Sequence, residues 1–169
     1  MLLDFVATVS AGLGLAGLVM IARWLLRGRL PGWLVPAAAG AGMLAFAIWN
    51  EYTWFPRTAA ALPPGVTVAR TVEESALWRP WTYWHPIVTR FSAVDLRTAR
   101  TNPEAPGQVL ATVLLIARWQ PRSAVPVLFD CDSARQAPLL GPDPFAEPIP
   151  WEAVPPDDDV LRAACVALD

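Results

Sequence analysis

Lysine is absent from this chain, and all thirteen basic residues are arginine. Together with eighteen prolines and abundant alanine, that reads as GC-rich coding bias, not a device for gripping phosphate. The formal net charge is −2, so the electrostatic footprint of a nucleic-acid binder is missing and no nucleic-acid partner is expected. Histidine occurs once, at His85, and cysteine twice, at Cys131 and Cys165. No Cys-x-x-Cys or Cys-x-x-Cys-His stretch exists, and Met20 and Met43 lie inside apolar runs, so no metal or haem ligand set stands at diagnostic spacing. No Gly-x-Ser-x-Gly elbow surrounds a serine. Ser92 or Ser123 with His85 and Asp95 is a trio that chance supplies in most chains. Glu73-Glu74 and Asp157–Asp159 read as helix N-termini, and the acidic run lacks the glycine-bearing loop of a calcium site. The expectation is therefore a protein that is not an enzyme, with no cofactor, no metal and no catalytic residue.

Charge is also scarce: 17% of residues are charged and 54% are hydrophobic, and the excess lies at the N-terminus. Phe5 to Ala22 carries no charge over 18 residues, close to the minimum that crosses a bilayer core. A second uncharged run, Leu34 to Trp49, follows, with Arg23, Arg27 and Arg29 and a Pro31-Gly32 turn between the two. The chain starts MLLD, without the basic start of a cleaved signal peptide, so an uncleaved helical hairpin is expected. Small residues recur at four-residue spacing, at Ala7 and Ala11, Gly12 and Ala16, and Ala37, Ala41 and Ala45. Such stripes allow close helix packing in lipid, though plain alanine abundance explains them equally well. Three arginines in the short loop, against Arg57 beside Glu51 after the second run, place the loop in the cytoplasm and both termini in the periplasm. Tyr52, Trp54 and Phe55 then form an outer aromatic belt, with Trp24 and Trp33 at the inner face.

The sequence thus divides into a transmembrane hairpin at 1–55, a Pro- and Gly-containing linker at 56–65, and an extracytoplasmic domain at 66–169. Strands are expected at 65–71, 87–96, 108–119 and 124–131, the last two as a hairpin across a QPRS turn, with a loop at 102–107. Pro126 suggests an edge or a bulge. Thr71-x-x-Glu74 is a capping-box signature, predicting a short helix over VEESALW that stops before Pro80. A C-terminal helix opens on Asp157–Asp159 and carries an apolar stripe of Val160, Leu161, Ala164, Cys165 and Leu168. The stretch 137–156 is too rich in proline for regular structure. The fold class is α+β: a two-helix hairpin plus a small antiparallel β-rich domain with a C-terminal helix.

Both cysteines fall on apolar faces of that domain. In an oxidising space a Cys131–Cys165 disulfide is expected, closing a loop of about 35 residues and contributing roughly 3–4 kcal/mol. The alternative is two buried free thiols. The segment VPVLFDCDSARQ followed by LRAACVA resembles the small β-domains of the surface-adhesin protein E type. The resemblance covers about the last 85 residues. It maps that family's Asp-Cys strand end, following arginine and late bridging cysteine onto Asp130, Cys131, Arg135 and Cys165, and AVDL at 93–96 fits the same pattern. Host-protein binding by some members does not carry over to a chain held in an inner membrane.

One stretch gathers unusual chemistry. Residues 78–86, WRPWTYWHP, hold three of nine tryptophans, one of two tyrosines and the only histidine. Trp78, Trp81 and Trp84 recur every three residues, so on a polyproline-like or 3₁₀ path they share a face. Trp78, Arg79, Trp81, Tyr83, Trp84 and His85 form the candidate binding patch. Three roles stay open for it: core of the domain, anchor at a bilayer surface, or recognition surface with Arg79 available for stacking. The partners this implies are the lipid bilayer and other membrane or envelope proteins. The expected role is protein binding or scaffolding, as an accessory subunit of a membrane complex, with small-ligand or lipid binding at the aromatic patch as the alternative.

Overall fold

Alternating β-branched and apolar residues after position 65 build one antiparallel sheet, and the apolar N-terminal runs build two helices. This computed structural model describes residues 2–103, 105–139 and 149–168, with the side chain of Asn102 left aside. Two compact units result, Met1–Phe55 and Pro56–Asp169.

The first unit contains α1 (Leu2–Leu25) and most of α2 (Leu34–Ala60). Helix α1 ends in a pair of wrapped hydrogen bonds, Gly28 N to Arg23 O at 2.8 Å and Arg27 N to Trp24 O at 3.1 Å. Arg27 and Gly28 both take positive φ, 49° and 77°, which is how a helix closes its last carbonyls and turns. The two helices meet through glycine. A Cβ on Gly42 would stand 2.9 Å from Ala11 O and 3.3 Å from Gly12 Cα; one on Gly12 would stand 2.9 Å from Ala39 O. Backbone therefore touches backbone at this crossing, and only glycine permits it. Of the four-residue stripes, Gly12 and Ala16 are buried, whereas Ala37, Ala41 and Ala45 are exposed and α2 presents Gly42 in their place. At one end of the pair Asn50 Nδ2 donates to Asp4 Oδ1 at 3.1 Å.

Helix α1 is long and apolar enough to cross a membrane, and it is the one such helix among the described residues. Helix α2 is uncharged from Leu34 to Trp49 but then meets Asn50 and Glu51. It also continues through Pro56 to Ala60, so half of the expected linker is helical. Pro56 lacks the N–H that would bond back one turn, and the division between the two units falls at that residue. Of the aromatics expected at an outer belt, Trp54 is buried, and Tyr52 and Phe55 are half-buried; Trp24, Trp33 and Trp49 are exposed.

The second unit is a six-stranded meander in which each strand pairs with its sequence neighbours. The strands are β1 (Val66–Glu74), β2 (Ile87–Asn102), β3 (Ala105–Ala117), β4 (Ser123–Asp130), β5 (Arg135–Pro138) and β6 (Glu152–Ala153). The capping-box expectation fails here. Thr71 to Glu74 continue β1, with Thr71 opposite Phe91 and Glu74 opposite Ile87. So short a helix needs packing or a cap to offset nucleation, as the C-terminal helix described below has, whereas Val72 and its neighbours gain a ladder with β2 by staying extended.

Strand β2 runs beyond the expected Leu96 because Asp95 carries the chain through an irregularity. Its carboxylate accepts from the Arg97 backbone at 3.1 Å and its carbonyl accepts from the Thr98 hydroxyl at 2.8 Å. Pairing with β3 then resumes at Arg100, and Asn102 faces Ala105, so the strands extend from both sides into the loop expected at 102–107. Pro126 pairs opposite Thr112 near where β5 stops, and Leu139 N donates to Pro126 O at 2.9 Å. Strands β5 and β6 interrupt the stretch expected to be irregular; its residues 140–148 lie outside the described residues.

Helix α3 (Asp159–Cys165) closes one face of the sheet. Asp158 caps it by accepting from Val160 N at 2.9 Å and Leu161 N at 3.1 Å. Leu161 and Ala164 pack against Val94, Val109, Ala111, Val113, Val127 and Phe129, of which Phe129, Val94 and Val109 are fully enclosed. Leu168 leaves the expected stripe because the chain tightens to a 3₁₀ turn at Val166–Leu168. Cys131, one residue past β4, and Cys165, at the end of α3, form a disulfide with a Cα–Cα distance of 6.0 Å.

Candidate functional site

The connection between β1 and β2 is held by a buried hydroxyl. Thr82, 1% exposed, donates to Arg79 O at 2.7 Å and accepts from Ala76 N at 2.9 Å. Arg79 N returns to Ala76 O at 2.9 Å, turning Leu77 and Trp78 outward. Pro80 opens a 3₁₀ helix, Pro80–Tyr83, with its fixed φ and missing donor where neither costs anything. Trp84 N and His85 N both donate to Trp81 O at 3.2 Å, ending the turn before Pro86. The loop is thus fixed by its own backbone and one threonine.

On this frame the candidate residues separate. Leu77 is 83% exposed, Trp78 79%, Tyr83 57% and Trp84 85%. Trp81 is half-buried with its indole Nε1 enclosed, and Arg79 is half-buried. His85 is exposed. The three tryptophans do not share one face: a 3₁₀ turn only four residues long cannot hold that alignment from 78 to 84. Trp81 is the structural ring, and Trp78 and Trp84 are displayed.

A second aromatic element stands at the same end of the sheet. Arg90 pairs with Ala117, and Arg118 N donates to Thr89 O at 3.0 Å, so the β3–β4 turn at 118–122 lies beside the start of β2. Trp119 there is 50% exposed, with the Arg118 guanidinium 4.7 Å from its ring centre. Residues 75–86 and 118–122 together hold four of the nine tryptophans, and Arg79, Arg118 and Arg122 with no aspartate or glutamate. Glu73 and Glu74 stand at the end of β1, and Glu74 pairs with Arg90 at 3.7 Å. The sequence pattern RWQPR reads as a bare turn; only the strand register brings it beside the first loop.

Beyond these loops an open groove of about 180 Å³ lies between Arg70, Val72, Arg90, Ser92, Leu115 and Ala117. By alternation these residues continue the sheet face that carries Val94 and Val113. Its floor is apolar, and Arg70 at its edge pairs with Asp158 at 3.5 Å.

Among the described residues of the domain two carboxylates are buried, and both are latches. Asp95 is gripped bidentately by Arg97 at 2.9 and 2.7 Å; that hydrogen bonding outweighs burial and holds its carboxyl below the ordinary range. Burial pushes Asp130 up, but the Arg135 guanidinium and the Ser133 N–H together pull it further down. Arg135 also stacks on Trp151, 5.1 Å from the ring centre. Carboxylates held this firmly ionised do not supply protons at neutral pH. No group of three or more His, Cys, Asp or Glu side chains converges on a metal-sized site among the described residues.

Comparison with protein-family models, curated proteins and solved structures finds no match to this chain.

Proposed function

We propose that this protein is a membrane-anchored, non-enzymatic binding domain, held outside the cytoplasmic membrane by the α1–α2 hairpin and acting as a scaffolding or accessory part of a larger membrane assembly. One observation carries the reading: a disulfide-closed sheet presents Leu77, Trp78, Tyr83, Trp84 and Trp119 uncovered at one end. Soluble domains seldom leave a cluster of large apolar side chains exposed unless something covers it. Tryptophan and arginine are also the side chains that dominate contact surfaces. The extracytoplasmic placement is supported by the arginines of the hairpin loop and by the disulfide, which persists in an oxidising compartment.

A mild-detergent preparation of the wild type and of the double variant Trp78→Ser/Trp84→Ser tests the proposal. The wild type should retain a partner, as protein on a gel or lipid in a mass spectrum, that the variant releases at an unchanged melting temperature. Identical co-purifying material from both would sink it.

A further inference from the structure

Strand β1 forms one edge of the sheet: among the described residues it pairs with β2 alone. A nine-residue edge is an open row of hydrogen-bonding groups, and charged side chains ordinarily keep a second strand off it. Here the charges are arranged to admit one. We infer that β1 pairs antiparallel with the β1 of a second copy of this chain, about a two-fold axis at Val72.

The bulges locate the usable stretch. Val68 faces Ala93 and Arg70 faces Ser92, so Ala69 is an extra residue on β1 and the strand bends there. Val72 faces Arg90 and Glu73 faces Val88, so the second extra residue, Thr89, is on β2 and leaves β1 regular. From Arg70 to Glu74 the edge is therefore unbulged, and every residue in it except the half-buried Val72 is exposed. Arg70 and Val72 line the groove, and Glu74 reaches Arg90 on the same side; Thr71 and Glu73 alternate onto the other face.

A two-fold axis normal to the sheet dictates which residues meet. Centred on Val72, it sets Arg70 opposite Glu74 of the second copy twice over, Thr71 opposite Glu73 twice over, and Val72 opposite Val72. Every charge then faces an opposite charge or a hydroxyl. Centring on Arg70, Glu73 or Glu74 opposes like charges, and centring on Thr71 drives the pairing into the bulge at Ala69. One register is left.

The ion pairs already made on this face take part in the contact. Arg70 lies 3.5 Å from Asp158 and Glu74 3.7 Å from Arg90, and the side chains of Arg70 and Glu74 are 59% and 54% exposed. A guanidinium has five donors and a carboxylate about four acceptor sites, so each can hold a second partner. Pairing links them into two chains of alternating sign, each running from Arg90 and Glu74 of one copy to Arg70 and Asp158 of the other. Between these chains Val72 meets Val72, and the two apolar grooves, each with its half-exposed Leu115, come onto one sheet face. Five paired residues a side make a small interface, so the copies exchange.

The test uses the full chain in mild detergent, its native cysteines locked in their disulfide. Residues directly opposite have Cβ atoms about 5 Å apart, so Val72→Cys should give a disulfide-linked dimer under mild oxidation. Thr67→Cys, exposed on the same strand, stands roughly 33 Å from its counterpart in this register and should give at least about tenfold less. Arg70→Glu and Glu74→Arg, with folding checked by melting, should each weaken the dimer by about tenfold in light scattering. Mixed together they should form a heterodimer, because each supplies the charge the other lacks. Trp78→Ser/Trp84→Ser should dimerise like wild type, which separates this edge from the aromatic end. A wild type that is monomeric at every concentration, equal cross-linking at 67 and 72, or no heterodimer on mixing overturns the inference. Loss of the dimer in the tryptophan variant also overturns it, since the contact then runs through the aromatic loops.

Discussion

Replacing Cys131 and Cys165, singly and together, probes how the second unit holds its shape. The bridge joins the end of β4 to the end of α3 across 34 residues, and both sulfurs flank the core formed by Phe129, Leu161 and Ala164. For a loop of that size the chain-entropy relation gives an unfolded-state cost of about 12.6 cal/mol/K, or about 3.8 kcal/mol at 25 °C. For a domain of this size each kcal/mol moves the midpoint by about 4 °C, so the melting temperature should fall by roughly 15 °C. Thermal melting of the detergent-solubilised full chain, followed by near-ultraviolet circular dichroism, reads this directly. Because the two sulfurs make one interaction, Cys131→Ala, Cys165→Ala and the double variant should lose similar amounts, not a sum. A fall below 3 °C, or single losses that add, would refute the view that the bridge fastens α3 to the sheet.

Four other outcomes are expected. Gly42→Val should separate the two helices and cost about 1–3 kcal/mol, while Gly14→Ala, whose new Cβ meets nothing within 4 Å, should be neutral or slightly stabilising; melting in detergent compares them. Trp81→Ala should destabilise the second unit by about 2–3 kcal/mol, whereas Trp78→Ser and Trp84→Ser should each stay within about 0.5 kcal/mol of wild type in the same assay. Asp95 and Asp130 have folded pKa values below the ordinary 3.8, so the stability they confer is complete above that value and is lost as pH falls through the lower folded values. Asp95→Asn should accordingly melt well below wild type at pH 7, with the gap closing in strong acid; a gap constant with pH would show that the carboxylate's charge is irrelevant. Arg97→Gln should reproduce that pattern, since it removes the same bidentate contact.

Much of the architecture was legible because periodicity reports burial. The α+β class, the β3–β4 hairpin, the α3 stripe and the pairing of Cys131 with Cys165 follow from alternation, turn residues and apolar faces. The failures have identifiable causes. Thr71-x-x-Glu74 satisfies a local helix signal, but the strand partner that overrides it lies some 15 residues away. Strand β2 extends through Asp95 by side-chain hydrogen bonds, which no propensity pattern encodes. In α2 the small-residue spacing is real, yet helix rotation selects Gly42 over Ala41, and single-residue phase is set by the partner helix. For the candidate site, composition located residues 78–86 but not which rings turn outward. The neighbouring Arg118-Trp119 turn became part of the site only through strand register, a non-local property.

The placement of the sheet outside the membrane, with the α1–α2 turn inside, is the claim on which the rest depends. A membrane-impermeant maleimide applied to intact spheroplasts measures it, using Thr67→Cys on the exposed start of β1 and Gly32→Cys in the turn between the helices. The account predicts that Thr67→Cys is labelled at once in intact cells and Gly32→Cys only after permeabilisation. The reverse pattern, or labelling of both from outside, would contradict it.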